Sequence, residues 1–218
     1  MFETLFKFGV GKKMARKTKA EAAVTRDSIL DAAERLFAEQ GVSRTTLQHI
    51  ASAAGVTRGA IYWHFLDKGA LLHAMMERAK MPLEEALLLL DANENGDPVH
   101  DLREYVMTVL RVTATDPKAR RVFEIVTLKM EFVDDAVIMR EGRREKQLVW
   151  MQRVETRLDQ AKALGQVRQD LEPATVAMSM WVIMDGLIRN WLFDTDAYDL
   201  VALGESMMDT YLAGLRNC

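Results

Sequence analysis

The sequence of 218 residues has a single cysteine, Cys218, and only four prolines and twelve glycines. One cysteine excludes an intramolecular disulfide framework and any metal site built from cysteines. No apolar run approaches the ~20 residues that a transmembrane helix requires, and the amino terminus lacks the apolar core and cleavage site of a secretory signal. We therefore expect a cytoplasmic protein that has no membrane partner.

Segments that alternate polar and apolar residues, which are typical of strands, are also lacking. Apolar residues recur at helical spacing through much of the chain, and they make up 49% of it against 28% charged residues. Such a composition is typical of a soluble globular protein with a sizeable core. The sequence predicts an all-α fold in which a small unit of short helices precedes a larger helical body.

The net charge of −3 conceals two parts of opposite charge. Residues 1–80 carry 13 lysines and arginines against 8 acidic residues, a net charge of +5, whereas residues 81–218 carry 16 against 24, a net charge of −8. A basic front and an acidic back indicate that only the front contacts a polyanion. Two solvated surfaces of unequal charge explain the same distribution equally well.

Helix signals divide the front into short segments. Residues 25–40 have the apolar spacing of a helix, and Thr46 and Thr57 are suitable caps for two short helices separated by a break at Gly55. A fourth helix is expected from about Asp67. Two short helices joined by a glycine-containing turn meet the requirement of a helix-turn-helix, although many helix pairs share this pattern.

The third helix carries side chains that suit DNA. Arg58, in its first turn, can reach O6 and N7 of guanine as a fork, the commonest specific contact in the major groove. Thr57 can cap the helix or donate to a phosphate, and Tyr62, His64 and Lys68 suit phosphate contacts. The helix pair therefore predicts a DNA-binding unit.

The segment from Thr46 to Lys68, TLQHIASAAGVTRGAIYWHFLDK, resembles the DNA-binding signature of the TetR family of bacterial repressors. In the body, MDGLIRNWL (Met184 to Leu192) is similar to the AcrR-type subgroup that represses multidrug efflux pumps. The resemblance implies a homodimer that binds double-stranded operator DNA and releases it when a small molecule binds the body. Carried over to matching positions, it assigns the DNA contacts to Thr46, Thr57, Arg58, Tyr62, Trp63, His64 and Lys68.

The predicted domains are a flexible basic arm over residues 1–24, a helix-turn-helix domain over 25–68 and a ligand-binding and dimerisation domain over 69–218. The residues before Met14 have no counterpart in the family, so a start at either methionine stays open. Gly69 also departs from the family, which usually has a better helix former there, at a cost of up to ~1 kcal/mol. Body helices are expected at about 98–115, 117–132, 134–162, 173–193 and 199–215.

The helix expected from Pro173 to Phe193 is apolar on more than one face, which requires that both faces be buried. One face is expected to pair with the partner subunit beside the last helix. A thick monomer core explains the same pattern, but the family resemblance favours dimerisation. The predicted dimer residues are Val176, Met180, Ile183, Leu187, Met207, Met208, Tyr211 and Leu215.

Asp185 and Arg189 are spaced as a helical ion pair, which is the simplest interpretation of the two. Beside Trp181 and Met184, at positions that the efflux subgroup uses for its pocket, they are expected at the polar end of a cavity for a hydrophobic or aromatic inducer. Ten of the fourteen methionines follow residue 80, which fits an adaptable pocket and also ordinary core filling. The remaining predicted lining, each member of which is also typical of plain core, is Tyr105, Val106, Val109, Phe123, Thr127, Met130, Trp150 and Val154.

Enzymatic interpretations find little support in the sequence. The four histidines (His49, His64, His73 and His100) show no metal-ligand pairing, and GVGKK at 9–13 lacks the first glycine and the final Ser or Thr of a phosphate-binding loop. We expect no enzyme activity, metal or cofactor. The alternatives left open are a repressor of metabolic genes that responds to an acyl or aromatic metabolite, a non-specific nucleoid-type DNA binder, and a helical enzyme or carrier.

Overall fold

The structure of the protein is a computed structural model that describes residues 19–78, 87, 96–129 and 136–216. Over these ranges the regular elements are helices, which confirms the all-α prediction. Their bounds are α1 Lys19–Gln40, α2 Leu47–Ala53, α3 Arg58–His64, α4 residues 68–78, α5 Pro98–Thr115, α6 Pro117–Glu124, the π-helical turn Ile125–Lys129, α7 Ala136–Ala163, α8 Pro173–Phe193 and α9 Leu200–Ala213. None of the helices in these ranges has both the length and the apolar character needed to cross a membrane.

Local side-chain chemistry sets several helix ends. Thr46 and Thr57 cap α2 and α3, each accepting a hydrogen bond from the backbone N–H three residues on, at 3.1 and 3.2 Å. Asp97 and Asp116 cap α5 and α6 immediately before a proline, a common arrangement at the start of a helix. Gly55 lies between α2 and α3 with a φ of +67°, a left-handed conformation that other residues adopt at a cost.

Two helix boundaries differ from the prediction. The first helix begins at Lys19 rather than at residue 25, so residues 19–24 belong to α1 and not to an arm. This stretch, KAEAAV, contains mostly good helix formers, which explains the longer helix. The helix expected over 117–132 ends at Glu124 and continues as the π-helical turn. Residues 1–18, the rest of the predicted arm, lie outside the described residues.

The buried apolar side chains form two clusters. The first belongs to the amino-terminal unit, which we define as α1 to α4, and it is centred on Ile29, Phe37, Ile50, Ile61 and Leu72. The second belongs to the body, defined as α5 to α9, in which α5 packs on α9 and α7 packs on α8. The two clusters correspond to the small front unit and the larger body that the sequence predicts.

The segment formed by α6 and the π-helical turn packs against both clusters. Val122 and Ile125 are buried in the core of the amino-terminal unit, whereas Phe123 and Leu128 pack against the core of the body. A π-helical turn is rare and frequently accompanies a functional site. Opposite sides of one short segment therefore contact both cores.

Candidate DNA-binding surface and ligand site

The exposed surface of α3 carries the side chains predicted to contact DNA. Tyr62 is 48% exposed and Trp63 72% exposed, and Arg58 and Thr57 are also exposed. On the opposite side of the helix Ile61 is fully buried in the core of the amino-terminal unit. A short helix is thereby held by one apolar anchor while its polar and aromatic side chains face outward.

Arg58 and Tyr62 are in contact on that surface. They are one helical turn apart, and Cζ of Arg58 lies 5.7 Å from the centroid of the Tyr62 ring, within the range of a cation–π interaction. Trp63 instead meets His64 edge-on, with ring centroids 4.5 Å apart and an interplanar angle of 87°. His64 is half-buried, so its ring supports Trp63 from the side of the helix.

The two capping threonines remain able to bind phosphate. Thr46 and Thr57 use their hydroxyl oxygens as acceptors in the caps, which leaves the O–H of each group as a donor. Both caps lie where α2 and α3 begin, so their hydroxyls and the free backbone N–H groups are near each other at the start of each helix. This arrangement is compatible with the contacts expected for both residues.

Lys68, which is predicted to contact a phosphate, also makes a hydrogen bond within the protein. Its Nζ donates to the backbone carbonyl of Val42 at 3.0 Å, which ties the start of α4 to the turn after α1. The ammonium group has further N–H donors for a phosphate. At the next residue, a Cβ on Gly69 would lie 3.2 Å from Oδ1 of Asp67, the carboxylate that caps α4. Glycine at 69 therefore accommodates the cap, which explains this departure from the family.

Three aromatic rings meet where α5, α7 and α8 converge in the body. The ring of Trp150 lies 6.1 Å from that of Tyr105 and 5.3 Å from that of Trp181, measured between centroids. Burial raises the pKa of Tyr105 well above its ordinary value. Nε1 of Trp150 is buried beside this hydroxyl but has no hydrogen bond of normal geometry among the described residues. The cluster thus places the indole N–H of Trp150 next to the hydroxyl of Tyr105.

The other predicted pocket residues are distributed around these rings. Val106, Val109, Val154 and Met184 are buried in the same cluster. Phe123 and Thr127 are partly buried on α6 and the π-helical turn, and Met130 lies outside the described residues. The predicted lining is packed together, while a surface cleft of about 310 Å³ between the start of α5 and the end of α9 includes none of it.

Asp185 and Arg189 form the ion pair that their spacing predicts. Oδ2 of Asp185 accepts a hydrogen bond from Nε of Arg189 at 2.5 Å, and both side chains are about one-third exposed. They continue the row that Trp181 begins, at intervals of four residues along α8. The pair therefore lies at the outer end of the aromatic cluster.

The residues predicted for the dimer face lie on α8 and on or just after α9. Most of the side chains predicted to form the dimer interface pack against other residues of the same chain. Ile183 and Tyr211 are partly buried against the body core, and Met207 is 39% exposed. Five others are buried in that core and are not available to a partner: Val176, Met180, Leu187, Met208 and Leu215.

A close approach between two helices explains why side chains of α9 lie inside the chain. A Cβ on Gly204 would lie only 2.2 Å from Cδ1 of Leu110, so α9 places its glycine directly against α5. Met208, one turn further, is consequently buried on the same side. The glycine within α9 is the signal in the sequence that could have identified the inward face.

Other apolar side chains remain exposed on the outer sides of α8 and α9. Val182 is 59% exposed and Phe193 76% exposed, and Met178 and Leu203 are also exposed. On α8 these side chains recur at helical spacing and form one stripe opposite to the buried side. The sequence predicts two apolar faces on α8, and the face predicted to pair with the partner subunit is the one that is buried within the chain.

Contacts of α6 and the π-helical turn link α8 to the start of α4. Cζ of Arg120 lies 5.9 Å from the centroid of the Trp191 ring on α8. At the other end, the carbonyl of Lys129 accepts a hydrogen bond from the backbone N–H of Val42 at 3.3 Å, and the Val42 carbonyl in turn accepts from Lys68. A continuous set of contacts therefore runs from α8 to the start of α4.

A charged cluster holds α4 to α1. Arg78 donates to Asp31 at 2.5 Å and to Glu34 at 2.7 Å. The Glu34 side chain is only 2% exposed, and this burial raises its pKa even though Arg78 acts in the opposite direction. These ion pairs tie residue 78, the last described residue of α4, to α1.

Two family models match the chain, one over the amino-terminal unit and one over the body. Residues 29–75 match the family described as bacterial regulatory proteins, tetR family, and residues 97–217 match the C-terminal region of MAATS-type transcriptional repressors. The chain is 42% identical over 187 residues to the transcriptional regulator AcrR of Shigella flexneri, an alignment that covers 86% of this chain and 87% of that protein.

Two solved structures are similar over most of the chain. NalD, the secondary repressor of the MexAB-OprM multidrug efflux pump in Pseudomonas aeruginosa, has a TM-score of 0.83 at 29% identity, covering 91% of this chain and 99% of that one. The SmeT–triclosan complex, from a Stenotrophomonas maltophilia repressor, has a TM-score of 0.79 at 32% identity, covering 89% and 92%.

Proposed function

The chain belongs to the TetR family of bacterial transcriptional regulators, and on that basis we propose that it represses a multidrug efflux operon and leaves its operator when a hydrophobic small molecule binds the body. The observation that carries this proposal is the exposed face of α3. Arg58, Tyr62 and Trp63 face outward from a helix that Ile61 anchors. Because the target is bacterial DNA, the protein acts in the cytoplasm.

Two α3 helices of a dimer bind one operator. To enter successive major grooves they must be separated by about 34–36 Å, which requires a near-palindromic site. Arg58 contacts a guanine, and Thr46, Thr57, Tyr62, His64 and Lys68 contact phosphates, with Trp63 packing against the groove wall. The excess of acidic residues in the body keeps it away from the duplex.

The dimer forms through the outer sides of α8 and α9. Support for this assignment comes from the exposed stripe of Met178, Val182 and Phe193, joined by Leu203 and Met207 on α9. An isologous dimer places this surface against itself and removes its apolar side chains from water. The inward residues, such as Met180, contribute to the fold of each protomer instead.

The inducer occupies the region around Tyr105, Trp150 and Trp181. Aromatic rings supply apolar surface, the buried N–H of Trp150 supplies a donor, and Asp185 with Arg189 supplies a polar end. Since these side chains are packed together, ligand entry must separate them. Met184, with its flexible thioether, can repack around ligands of different shapes.

The α6 segment transmits this separation to the DNA-binding surface. Phe123 and Leu128 contact the body core, whereas Val122 and Ile125 contact the core of the amino-terminal unit. A ligand that displaces the first pair also displaces the second pair and tilts α4 with its attached unit. A 100-fold loss of operator affinity requires ~2.7 kcal/mol of coupling, and DNA must weaken ligand binding by the same factor.

Fluorescence anisotropy with labelled duplexes tests this function. The probes are the DNA flanking the protein's own gene and a scrambled duplex of equal composition, titrated at physiological salt with and without a panel of hydrophobic drugs. We expect preferential binding to the flanking DNA and release by at least one drug. Unchanged affinity at saturating drug, shown by isothermal titration to be bound, would contradict the release mechanism.

The same titrations separate the alternatives. Release by an acyl-coenzyme A or an aromatic metabolite, with no response to drugs, would assign the protein to metabolic genes. Equal affinity for flanking and scrambled duplexes would identify a non-specific DNA binder. Ligand binding without any effect on DNA would indicate a carrier.

A further inference from the structure

The guanidinium of Arg58 and the ring of Tyr62 are in contact on the face of α3 that is proposed to meet DNA. Cζ of Arg58 lies 5.7 Å from the centroid of the Tyr62 ring, one helical turn along the same exposed face. Within the described part of the chain, this ring is the partner that the structure records for the Arg58 side chain. The guanidinium is therefore held by an aromatic surface and not by an acidic side chain.

The direction of this contact matters because Arg58 is the first residue of α3. A long side chain on a helix points back toward the helix amino terminus, which here would direct the guanidinium toward Thr57 and the phosphate contacts. The Tyr62 ring, four residues further on, leans back in the same direction and meets the guanidinium on the exposed face. The contact therefore limits where the guanidinium can lie on the face that a base edge would approach.

The orientation of the guanidinium also matters because guanine recognition uses a planar fork. Two N–H groups must reach O6 and N7 together, and a freely rotating arginine loses conformational freedom when it adopts that geometry. A guanidinium that already contacts a ring has fewer positions available before DNA arrives, so less freedom is lost on binding.

We propose that Tyr62 is a positioning residue for sequence recognition: its ring holds the Arg58 guanidinium over the groove-facing surface of α3, and this contact contributes to the preference for guanine. The inference rests on the proposed function, because it requires that Arg58 contact a base. It adds to the phosphate contact expected of the Tyr62 hydroxyl, since the ring and the hydroxyl are separate parts of one side chain.

Two substitutions separate the ring from the hydroxyl. Tyr62→Phe keeps the ring and removes the O–H, whereas Tyr62→Leu removes both and keeps an apolar side chain of good helix propensity. Tyr62 is exposed, so both variants should retain the thermal unfolding temperature of the parent protein, which circular dichroism measures. His49→Leu is the matched control, because it removes an exposed ring from α2 at a position to which no DNA contact is assigned.

The probe is the duplex that the full-length wild-type protein enriches from a randomised library, together with the same duplex carrying single G·C to A·T changes. Arg58→Ala first identifies its base pair as the one at which discrimination disappears. At that pair we expect Tyr62→Phe to keep discrimination within about twofold while binding every duplex more weakly. We expect Tyr62→Leu to lower discrimination about three- to tenfold, and His49→Leu to leave it unchanged.

A double-mutant cycle completes the test. In the Arg58→Ala background, Tyr62→Leu should have no effect on discrimination at that base pair, because the side chain through which it acts is gone. Unchanged discrimination in Tyr62→Leu, an equal loss in Tyr62→Phe, or an effect that persists without Arg58 would each overturn the inference and leave the proposed function intact. Failure of the wild-type protein to enrich any sequence would instead overturn the proposed function.

Discussion

The amino-terminal unit and the body perform their roles with opposite parts of their helices. In α3 the residues assigned to DNA, such as Arg58 and Trp63, are exposed, and the buried Ile61 only anchors the helix. In the body the residues assigned to the ligand, such as Trp150 and Val154, are buried. A partner that meets the surface depends on side chains that packing leaves free, whereas a ligand that enters a core competes with packing itself.

This comparison predicts that substitutions on α3 can change binding without changing stability, whereas substitutions in the body cannot separate the two effects. A change on the outer face of α3 should alter DNA binding and leave the stability of the fold unaffected. A change in the body should alter stability, ligand response or both, because the same contacts serve each. The following substitutions test that distinction, from the largest expected effect to the smallest.

Gly204→Val should have the largest effect. A Cβ at this position would already lie 2.2 Å from Cδ1 of the fully buried Leu110, so a branched side chain must separate α9 from α5. Overpacking of this kind lowers the free energy of unfolding by about 3 kcal/mol. Urea denaturation measures the loss. A variant as stable as the parent would show that α9 does not depend on close contact with α5.

Arg58→Ala should weaken binding to the cognate operator by roughly 1–3 kcal/mol without changing the unfolding temperature. Arg58 is exposed on α3 and its recorded contact is with Tyr62, so the fold does not depend on it. Anisotropy titration against operator and scrambled duplexes measures the effect. An equal loss on both duplexes would mean that the guanidinium binds phosphate and not a base.

Trp181→Leu should raise the inducer concentration needed for half-release. Its ring lies 5.3 Å from that of Trp150, and an aromatic contact of this kind contributes ~0.5–1.5 kcal/mol beyond area burial. The expected result is a rightward shift of the drug-release curve with operator affinity in the absence of drug unchanged. Loss of operator affinity before any drug is added would indicate that the residue supports the DNA-competent fold instead.

The two regions should also differ in how stability depends on pH. Burial raises the pKa of Glu34, so the folded state binds its proton more tightly than the unfolded state does, and stability falls as pH rises above the ordinary carboxyl pKa of 4.5. In the body, a hydrogen bond from Arg111 lowers the pKa of Glu104, so stability is lost as pH falls through and below that value.

Thermal unfolding between pH 3 and 7 measures these opposite contributions. Glu34→Gln should remove a decrease in stability toward neutral pH, whereas Glu104→Gln should remove a decrease toward acid pH. The second effect is the smaller because Glu104 is 38% exposed and solvent screens its partners. If both variants changed the pH dependence in the same direction, the environment inferred for one of the two acids would be wrong.

Local chemistry made much of the amino-terminal unit predictable. The capping threonines Thr46 and Thr57, the break at Gly55 and the buried Ile61 all lie within a few residues of the groups they organise. The positions of the exposed side chains of α3 follow from helical periodicity once those ends are known. The stacking of Arg58 on Tyr62 was not predicted, because a spacing of four residues permits the contact but does not select the rotamer.

Contacts between distant segments limited what could be predicted in the body. The prolines at the first helical positions of α5 and α8 marked where these helices begin. The all-α character of the body followed from apolar spacing. The shared role of α6 did not, because Val42 and Lys129 are brought together only by the packing of the two units. Likewise, no local signal indicated that the helix expected to continue to residue 132 would become a π-helical turn at Ile125.

By itself the sequence determined that the protein is helical, where the short helix proposed to meet DNA lies and which residues on that helix face outward. Tertiary structure alone decided which apolar side of α8 and α9 lies inside. Periodicity shows that a helix has two apolar faces, but it assigns neither to a neighbour. That choice depends on the fit between helices, above all on the approach of Gly204 to Leu110; the sequence shows the glycine but not the residue that it meets.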